Sequence, residues 1–326
     1  MKRIKEGKTA ILMAVYQGEA FLREMIDSLL AQSCQEFVIC FHDDGSTDAS
    51  ASILSEYVSK DPETFCLLEG EPLGSAKGNF LWMLSQVEAD TYMFADQDDV
   101  WLPEKLEKSL AFYQKTISEA SSPLAGEFSC IFSDMYVTDE TLHVLSDSMI
   151  RTIGRDIRRV ATGQILMDNP AAGCTMLFGR RLRDEIVDVM ERVDLSRITM
   201  HDQFILAAAS LLGTVAGLDE PLVYYRQHAH NEMGAKSEGV TSKLLRNIFD
   251  LFCGKFRREK QEFLQKSRDL GRELQKLRSL SNEDKVFLQN YAEIGKGNKH
   301  QRIAFYKAHH IERTTKLRTW WMYLWG

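Results

Sequence analysis

Three carboxylates, Asp96, Asp98 and Asp99, follow directly after a short apolar run. Acids this close together repel one another unless a positive charge balances them. A divalent ion that also holds a diphosphate is the simplest such charge, so the cluster predicts bound Mg²⁺ or Mn²⁺. The cluster is not an EF-hand, because counting from Asp96 puts Trp101 where that loop needs a glycine. An acidic surface turn that caps a helix is the alternative interpretation.

Four other residues have side chains suited to related chemistry. A carboxylate at Asp44 can accept the N–H of a pyrimidine base or a ribose hydroxyl. Asp202 opens a helical pattern, where it is either a helix cap or a general base kept ionised by the helix N-terminus. His228 is either a metal ligand or an ordinary surface histidine. Lys77 lies in a glycine-punctuated loop, where it either contacts a diphosphate or is solvated.

The apolar segments predict the α/β class. Continuous apolar runs, typical of strands buried on both faces, alternate with helical periods. This order predicts a mostly parallel sheet flanked by helices, with ligands at the carboxyl ends of the strands, where the acids lie. The predicted strands are Thr9–Val15, Phe37–Phe41, Phe65–Leu68, Thr91–Ala95, Phe128–Ser133, a strand entered through Pro170–Phe178, and Leu222–Arg226. Residues 134–169 show no clear period and predict a mobile loop.

Charge divides the 326-residue chain, whose net charge is −7. Residues 240–326 carry 19 Lys and Arg against 9 Asp and Glu, a net of +10, which leaves −17 for residues 1–239. The asymmetry predicts an acidic globular domain, residues 1–238, and a basic amphipathic helical extension, residues 239–326. Six cysteines without a C-x-x-C pair indicate a reducing compartment. With no signal peptide or spanning segment, we expect a cytoplasmic protein, soluble or peripheral.

Residues 9–232 resemble the family 2 glycosyltransferases, which have the GT-A fold. The order and spacing of six short motifs over this length carry the resemblance. The form of the third, fifth and sixth of these motifs is similar to that of bacterial rhamnosyltransferases of polysaccharide assembly. The motifs are Ala14–Gly18, Asp43–Asp48, Asp96–Trp101, Asn169–Gly173, His201-Asp202 and Tyr225–His228.

The resemblance implies roles for individual residues. Asp44 and Tyr16 would hold the base and ribose of a nucleotide, Asp98 and His228 would bind the metal, and Asp202 would be the catalytic base. Within the D-x-D element, Asp96 would contact the ribose or support the metal ligand. The other site residues expected are Gln97 and Lys77 for the nucleotide sugar, and Asp99, Trp101, Gly173 and His201 on the acceptor side.

The function implied is inverting, metal-dependent transfer of a sugar from a nucleoside diphosphate to a saccharide acceptor. The resemblance favours dTDP-L-rhamnose as donor and a lipid-linked saccharide as acceptor. A UDP-hexose transferase of the same fold and a non-catalytic nucleotide-sugar-binding subunit are the alternatives. A nucleotidyltransferase should instead carry a basic glycine-rich loop near its N-terminus, which Ala14–Gly18 does not provide.

The last residues are rich in aromatics, with three tryptophans and a tyrosine between positions 320 and 325. Together with the +10 segment, they predict peripheral attachment to an anionic membrane at its inner face. Packing of these aromatics on the catalytic domain is the alternative. Nucleic-acid binding is not expected, because no recognised module accompanies the positive charge.

Overall fold

A nine-stranded sheet forms the centre of the protein, and its strands are linked by helices. The computed structural model describes residues 1–228 and 255–325, so the predicted domain boundary at residue 238 lies outside the described residues. Nine strands form this sheet: β2 (Thr9–Val15), β3 (Phe37–Asp43), β4 (Phe65–Leu67), β6 (Thr91–Asp96), β7 (Val100–Trp101), β8 (Cys130–Thr138), β9 (Val144–Ser146), β10 (Met176–Gly179) and β11 (Val215–Arg226). Two short strands, β1 (Lys2–Arg3) and β5 (Val87–Glu88), pair with each other in a separate parallel sheet.

The main sheet has the strand order β4-β3-β2-β6-β10-β8-β11-β7, with β9 added beside β8. The first four strands run parallel, and β8 and β11 are parallel to each other. β10 is inserted antiparallel between β6 and β8, and β7 pairs antiparallel with β11. The predicted mostly parallel α/β sheet is therefore confirmed.

Helices cover both faces of the sheet. The long ones are α1 (Leu22–Leu30), α2 (Ser50–Lys60), α3 (Ala76–Gln86), α4 (Lys105–Ser118), α8 (Arg180–Met190), α9 (His201–Leu212), α10 (Lys255–Leu274), α11 (Asn282–Glu293), α12 (Lys299–Ala308) and α13 (Lys316–Trp325). The short ones are α5 (Pro123–Glu127), α6 (Met149–Thr152) and α7 (Thr162–Met167).

The alternation of side chains along β2 shows why its sequence is apolar throughout. Ile11 and Met13 face α1, α2 and α4, whereas Ala10 and Leu12 face α3, α8 and α9. All four side chains are fully buried. A strand covered on both faces has apolar residues at nearly every position, so its sequence shows no alternation of polar and apolar residues.

Residues 134–169 do not form the predicted mobile loop. They continue β8 and then form β9, α6 and α7. Buried polar contacts order the segment: the Asp134 carboxylate accepts the N–H groups of Met135 and Ile150, at 2.8 and 3.1 Å, and a hydrogen bond from the Ser148 hydroxyl. The polar residues of this segment predict exposure to solvent, but in the structure the buried ones form hydrogen bonds in the interior.

The C-terminal helices share the core of the sheet domain. Leu264, Leu270 and Leu274 of α10 belong to the same buried cluster as the apolar side chains of α9. In α13, Met322 is buried and the Tyr323 ring stacks on Tyr306, with 6.3 Å between centroids. Two residues of α13 therefore pack on the protein, and the ring contact of Tyr323 is with another C-terminal helix, α12.

Two side chains of α13, Leu317 and Trp320, remain 64% and 54% exposed. Across residues 1–228 and 255–325, no helix is both long and apolar enough to cross a membrane.

Candidate active site

A cavity of about 920 Å³ opens at the carboxyl ends of β2, β3 and β6. The carboxylates of Asp44, Asp96, Asp98 and Asp202 all line it, although they are up to 158 positions apart in the sequence. Parallel strands bring these groups together, because their carboxyl ends meet at one edge of the sheet. Tyr16 follows β2 and also lines the cavity.

Asp44 organises one end of the cavity. Its carboxylate accepts the backbone N–H of Leu73 and that of Gly74, the latter at 2.9 Å, which fixes the loop before α3. Gly45 next to it has a φ of +84°, a conformation that favours glycine. The loop and the carboxylate together form a narrow polar wall suited to a flat polar group such as a nucleoside base.

Gln97 supports Tyr16 through its side-chain amide. The amide oxygen of Gln97 accepts the Tyr16 N–H, and the amide nitrogen donates to the Tyr16 carbonyl, both at 2.8 Å. Both ends of the amide are therefore engaged, which holds the loop after β2 in place while the Tyr16 side chain stays 57% exposed. A Cβ on Gly18 would come within 2.5 Å of the Gln97 oxygen, so the contact needs glycine there.

The acidic cluster is joined by a histidine from the end of the described sheet domain. His228 Nε2 lies 2.7 Å from Asp98 Oδ2, and the two side chains are only 10% and 19% exposed. Arg226 positions the backbone of Asp98, because its Nε donates a hydrogen bond to the Asp98 carbonyl at 2.8 Å. Two carboxylates, Asp96 and Asp98, and one imidazole offer donor types that suit Mg²⁺ or Mn²⁺. In donor chemistry, these residues fit a divalent ion.

Asp99 lies below this cluster rather than in the cavity. Its side chain is fully buried, and one carboxylate oxygen accepts the Arg226 N–H at 3.2 Å. Burial raises the pKa of the Asp99 carboxyl well above its usual value, and the charges of Asp96 and Asp98 raise it further. One ligand atom each of Asp96, Asp99 and Cys174 lie within 4.8 Å of one another.

Asp202 occupies the first turn of α9 at the cavity wall. Burial raises the pKa of its carboxyl to about 6, and hydrogen bonds from the N–H groups of Gln203 and Gly173 partly oppose this shift. Such a group is ionised near neutral pH and yet accepts a proton readily, which suits a general base.

His201 lies beside the base as a neutral, buried ring. Its centroid is 4.5 Å from that of Phe80 and 5.0 Å from that of Phe94, and burial lowers the pKa of the imidazole to about 3. Neither ring nitrogen has a hydrogen-bond partner among the described residues. A Cβ on Gly173 would come within 2.6 Å of His201 Nε2, so the wall between histidine and cavity requires glycine.

Three residues predicted for the site do not line the cavity. Lys77 lies in the first turn of α3, and its ammonium donates to the carbonyls of Leu195 and Ile198 at 2.7 and 2.6 Å, away from the cavity lining. Trp101 does not line the cavity, because β7 pairs with β11 and buries its indole in the core. Asp99, also expected on the acceptor side, is buried as well.

The far arm of the cavity, lined by Arg155 and Phe263, could not be predicted from local sequence patterns. Arg155 lies in the segment predicted to be a mobile loop, and Phe263 lies on the apolar stripe of α10 that resembles ordinary core packing. No local motif marks either residue, since both reach the cavity only through the tertiary packing of α6, α7 and α10. Apolar side chains complete the arm: Met149, Ile150, Ile153 and Met167.

Known proteins resemble this chain in sequence and in structure. Residues 10–157 match the family model described as Glycosyl transferase family 2. An uncharacterized glycosyltransferase, alr2836 of Nostoc sp., is 25% identical over 71% of this chain and 68% of its own length. The dTDP-rhamnosyl transferase RfbG of Shigella flexneri is 22% identical over 68% of this chain and 74% of its own length.

Two solved structures show the same fold. The S. aureus protein TarS 1–349 in complex with UDP-GlcNAc superposes with a TM-score of 0.51 and 18% identity, covering 93% of this chain and 80% of that one. The mannosyltransferase PcManGT from Pyrobaculum calidifontis, in complex with GDP-Man and Mn²⁺, gives a TM-score of 0.50 and 13% identity over 93% and 74%. The chain has the GT-A fold, as predicted.

Proposed function

We propose that this chain is an inverting, metal-dependent family 2 glycosyltransferase that moves a sugar from a nucleoside diphosphate to a saccharide acceptor. One observation carries the proposal: a single cavity is lined by the Asp44 carboxylate next to Tyr16, by Asp98, which pairs with His228, and by the Asp202 carboxyl, whose pKa is about 6. The family match over residues 10–157 supports it.

The donor binds with its nucleoside between Asp44 and Tyr16 and its diphosphate toward Asp96 and Asp98. Asp98 and His228 would hold the divalent ion, with Asp96 beside them. When bound, the ion supplies positive charge that offsets the charge gained by the departing diphosphate. Gln97 keeps Tyr16 in position through its two 2.8 Å hydrogen bonds.

Asp202 acts on the acceptor. Its carboxylate removes the proton from an acceptor hydroxyl while that oxygen attacks C1 of the sugar from the face opposite the diphosphate. The bond from C1 to the acceptor oxygen forms as the bond from C1 to the diphosphate oxygen breaks. The nucleoside diphosphate leaves, and Asp202 releases the proton to solvent. A single displacement inverts C1, so no covalent intermediate with the enzyme is required.

The proposed donor is dTDP-L-rhamnose, and the proposed acceptor is a lipid-linked saccharide in polysaccharide assembly. The similarity to RfbG, a dTDP-rhamnosyl transferase, supports a rhamnosyl donor, whereas the UDP-GlcNAc bound to TarS supports a UDP-hexose as the alternative. Both donors carry a pyrimidine base, which the polar wall at Asp44 can accept.

We place the enzyme at the inner face of the cell membrane. The exposed Leu317 and Trp320 of α13 and the basic composition of residues 240–326 support this location. Each basic residue near an anionic surface adds about 1 kcal/mol of attraction, and an exposed indole suits the headgroup region. Two such signals together give reversible attachment.

A donor panel tests the function. Purified protein with Mn²⁺ and a saccharide acceptor is offered dTDP-L-rhamnose, UDP-GlcNAc, UDP-glucose and GDP-mannose, and the nucleotide products are separated by chromatography. We expect release of the nucleoside diphosphate from one donor above the rest. Release of pyrophosphate would indicate a nucleotidyltransferase, and tight donor binding without turnover would indicate a binding subunit.

A further inference from the structure

Arg155 is the one permanently positive side chain among the described residues that line the cavity. The same lining contains five carboxylates, those of Asp44, Asp96, Asp98, Asp134 and Asp202. The proposed chemistry uses all of these except Asp134, which is satisfied by its hydrogen bonds to the β8–α6 segment. The guanidinium at the far arm has no role in that chemistry.

Positive charge around Arg155 exceeds negative charge. Arg155 pairs with Asp168, whose carboxylate also accepts the Arg313 guanidinium at 2.7 Å and the Thr314 N–H at 2.8 Å. A third arginine, Arg318, donates to the carbonyl of Gly154 at 3.1 Å. Asp168 is thus shared by two arginines with a third adjoining them. The Arg155 Nε is buried and has no hydrogen-bond partner among the described residues.

A short segment of the chain connects this arm of the cavity to Asp202, the proposed base. The segment 169–173 follows Asp168 along the cavity wall and ends at Gly173, whose N–H bonds to Asp202. Five residues span at most about 17 Å when extended, which bounds the backbone separation of Asp168 and Gly173. A short oligosaccharide with its reactive hydroxyl at Asp202 can therefore reach Arg155.

Phe263 provides an apolar surface within the same arm. Its half-buried ring lines the cavity, and the Arg313 guanidinium lies 4.2 Å from the ring centroid. Ligand sites commonly combine aromatic and apolar walls with a few polar groups that fix orientation. Here α10 contributes the ring and the α6–α7 connection contributes the charge, so the C-terminal helices complete the site.

We propose that this arm binds the acceptor through an anionic group, a phosphate ester or a carboxylate, held by Arg155, with the attached sugar against Phe263. A guanidinium forms two parallel hydrogen bonds with either group. The inference rests on the proposed function only in naming the bound molecule an acceptor. The presence of an anion site can be measured without any transfer activity.

The test measures binding of glucose 6-phosphate, glucuronic acid and glucose to the full chain by calorimetry. EDTA is present, so that phosphate cannot bind through a metal ion. Wild type is compared with Arg155→Gln and with the matched control Arg158→Gln, which removes the same charge from a side chain that is 85% exposed and pairs with Asp156. Thermal unfolding of each variant establishes that it is folded.

We expect wild type and Arg158→Gln to bind an anionic sugar at least about tenfold more tightly than glucose, and Arg155→Gln to lose that preference. Loss for glucose 6-phosphate alone identifies a phosphate acceptor, and loss for glucuronic acid alone identifies a carboxylate. Equal binding of charged and neutral sugars overturns the proposal, as do equal losses in both variants. A raised donor KM in Arg155→Gln with unchanged anion binding would also overturn it, by placing Arg155 at the donor.

If Arg155→Gln does not fold, Arg155→Lys is measured in its place. Lysine keeps the charge facing Asp168 but lacks the fork of two N–H groups, so the anion affinity should fall by at least about threefold. An unchanged affinity contradicts the proposal. Failure of every nucleotide sugar to turn over would refute the transferase function and leave the anion result standing, so the two failures are distinguishable.

Discussion

Replacing Asp202 with Asn tests the base through two independent readouts. The pKa of the wild-type carboxyl, about 6, predicts that kcat falls about tenfold per pH unit below pH 6, as the carboxylate takes up a proton. Asn has the same shape and cannot accept the proton. We expect Asp202→Asn to lose about 10²- to 10⁴-fold in kcat, the usual contribution of a general base, while the Kd for donor is unchanged.

The same substitution should raise stability. The pKa shift from 3.8 to about 6 corresponds to about 3 kcal/mol, at about 1.36 kcal/mol per pK unit, by which ionised Asp202 destabilises the folded state. Partial exposure reduces this figure, and Asn can accept only one of the N–H groups of Gln203 and Gly173. We therefore expect a net gain of about 1–2 kcal/mol in the free energy of unfolding at pH 8.

The gain depends on pH in a defined direction. The folded-state pKa lies above the unfolded value, so the stability of wild type is full below about pH 4, falls as the pH rises to about 6, and is level above that. Asp202→Asn lacks this decline, so its advantage at pH 5 should be about half of that at pH 8. Denaturant unfolding of both proteins at pH 5, 6, 7 and 8 measures it.

Asp194→Asn is the matched control. Asp194 lies in the loop before α9, and its pKa is lowered, chiefly by hydrogen bonds from Ser196. Removing this carboxylate should decrease stability at neutral pH and leave kcat unchanged, the opposite of Asp202→Asn in both readouts. An Asp202→Asn variant that keeps wild-type kcat, or that fails to bind donor, would refute the assignment of the base.

Two further predictions concern the metal and the membrane. Asp98→Asn should lower kcat by orders of magnitude and weaken Mn²⁺ binding in a titration, because it removes a charged ligand; full activity in EDTA would contradict this. Intact protein should sediment with anionic vesicles at low salt and less at high salt, and a chain ending at Lys316 should sediment less. Trp320→Ser serves as the milder variant, since it keeps the packed Met322; equal, salt-insensitive absence of binding in all three proteins would leave α13 as ordinary packing.

The sheet and one half of the cavity follow from patterns that the sequence displays locally. β2 was predicted with its observed bounds, because a strand covered on both faces is a continuous apolar run. Asp44 and Asp98 come directly after such runs, so the parallel arrangement brings them to one edge. Asp202 lines the same cavity from the first turn of α9, and His228 follows the last strand, β11.

The remainder depends on contacts between distant residues. The antiparallel insertion of β10 leaves no trace in a four-residue apolar strand, since either direction buries the same side chains. Arg155 pairs with Asp168, which also pairs with Arg313, and these two pairs join residues 13 and 145 positions apart; a lone arginine among mixed charges indicates neither pair. The sequence could not show that Trp101 is buried away from the cavity, because a motif gives the order of its residues but not the direction in which each side chain points.

A single NMR time course of the reaction of the preferred nucleotide sugar with a saccharide acceptor tests the central claim most directly. The ³¹P signals identify the nucleotide product, and the anomeric ¹H signal of the new glycoside gives its configuration. We predict that nucleoside diphosphate appears at the same rate as a glycoside whose C1 configuration is opposite to that of the donor. A glycoside with retained configuration, or pyrophosphate in place of the nucleoside diphosphate, would contradict direct displacement by an acceptor hydroxyl that Asp202 deprotonates.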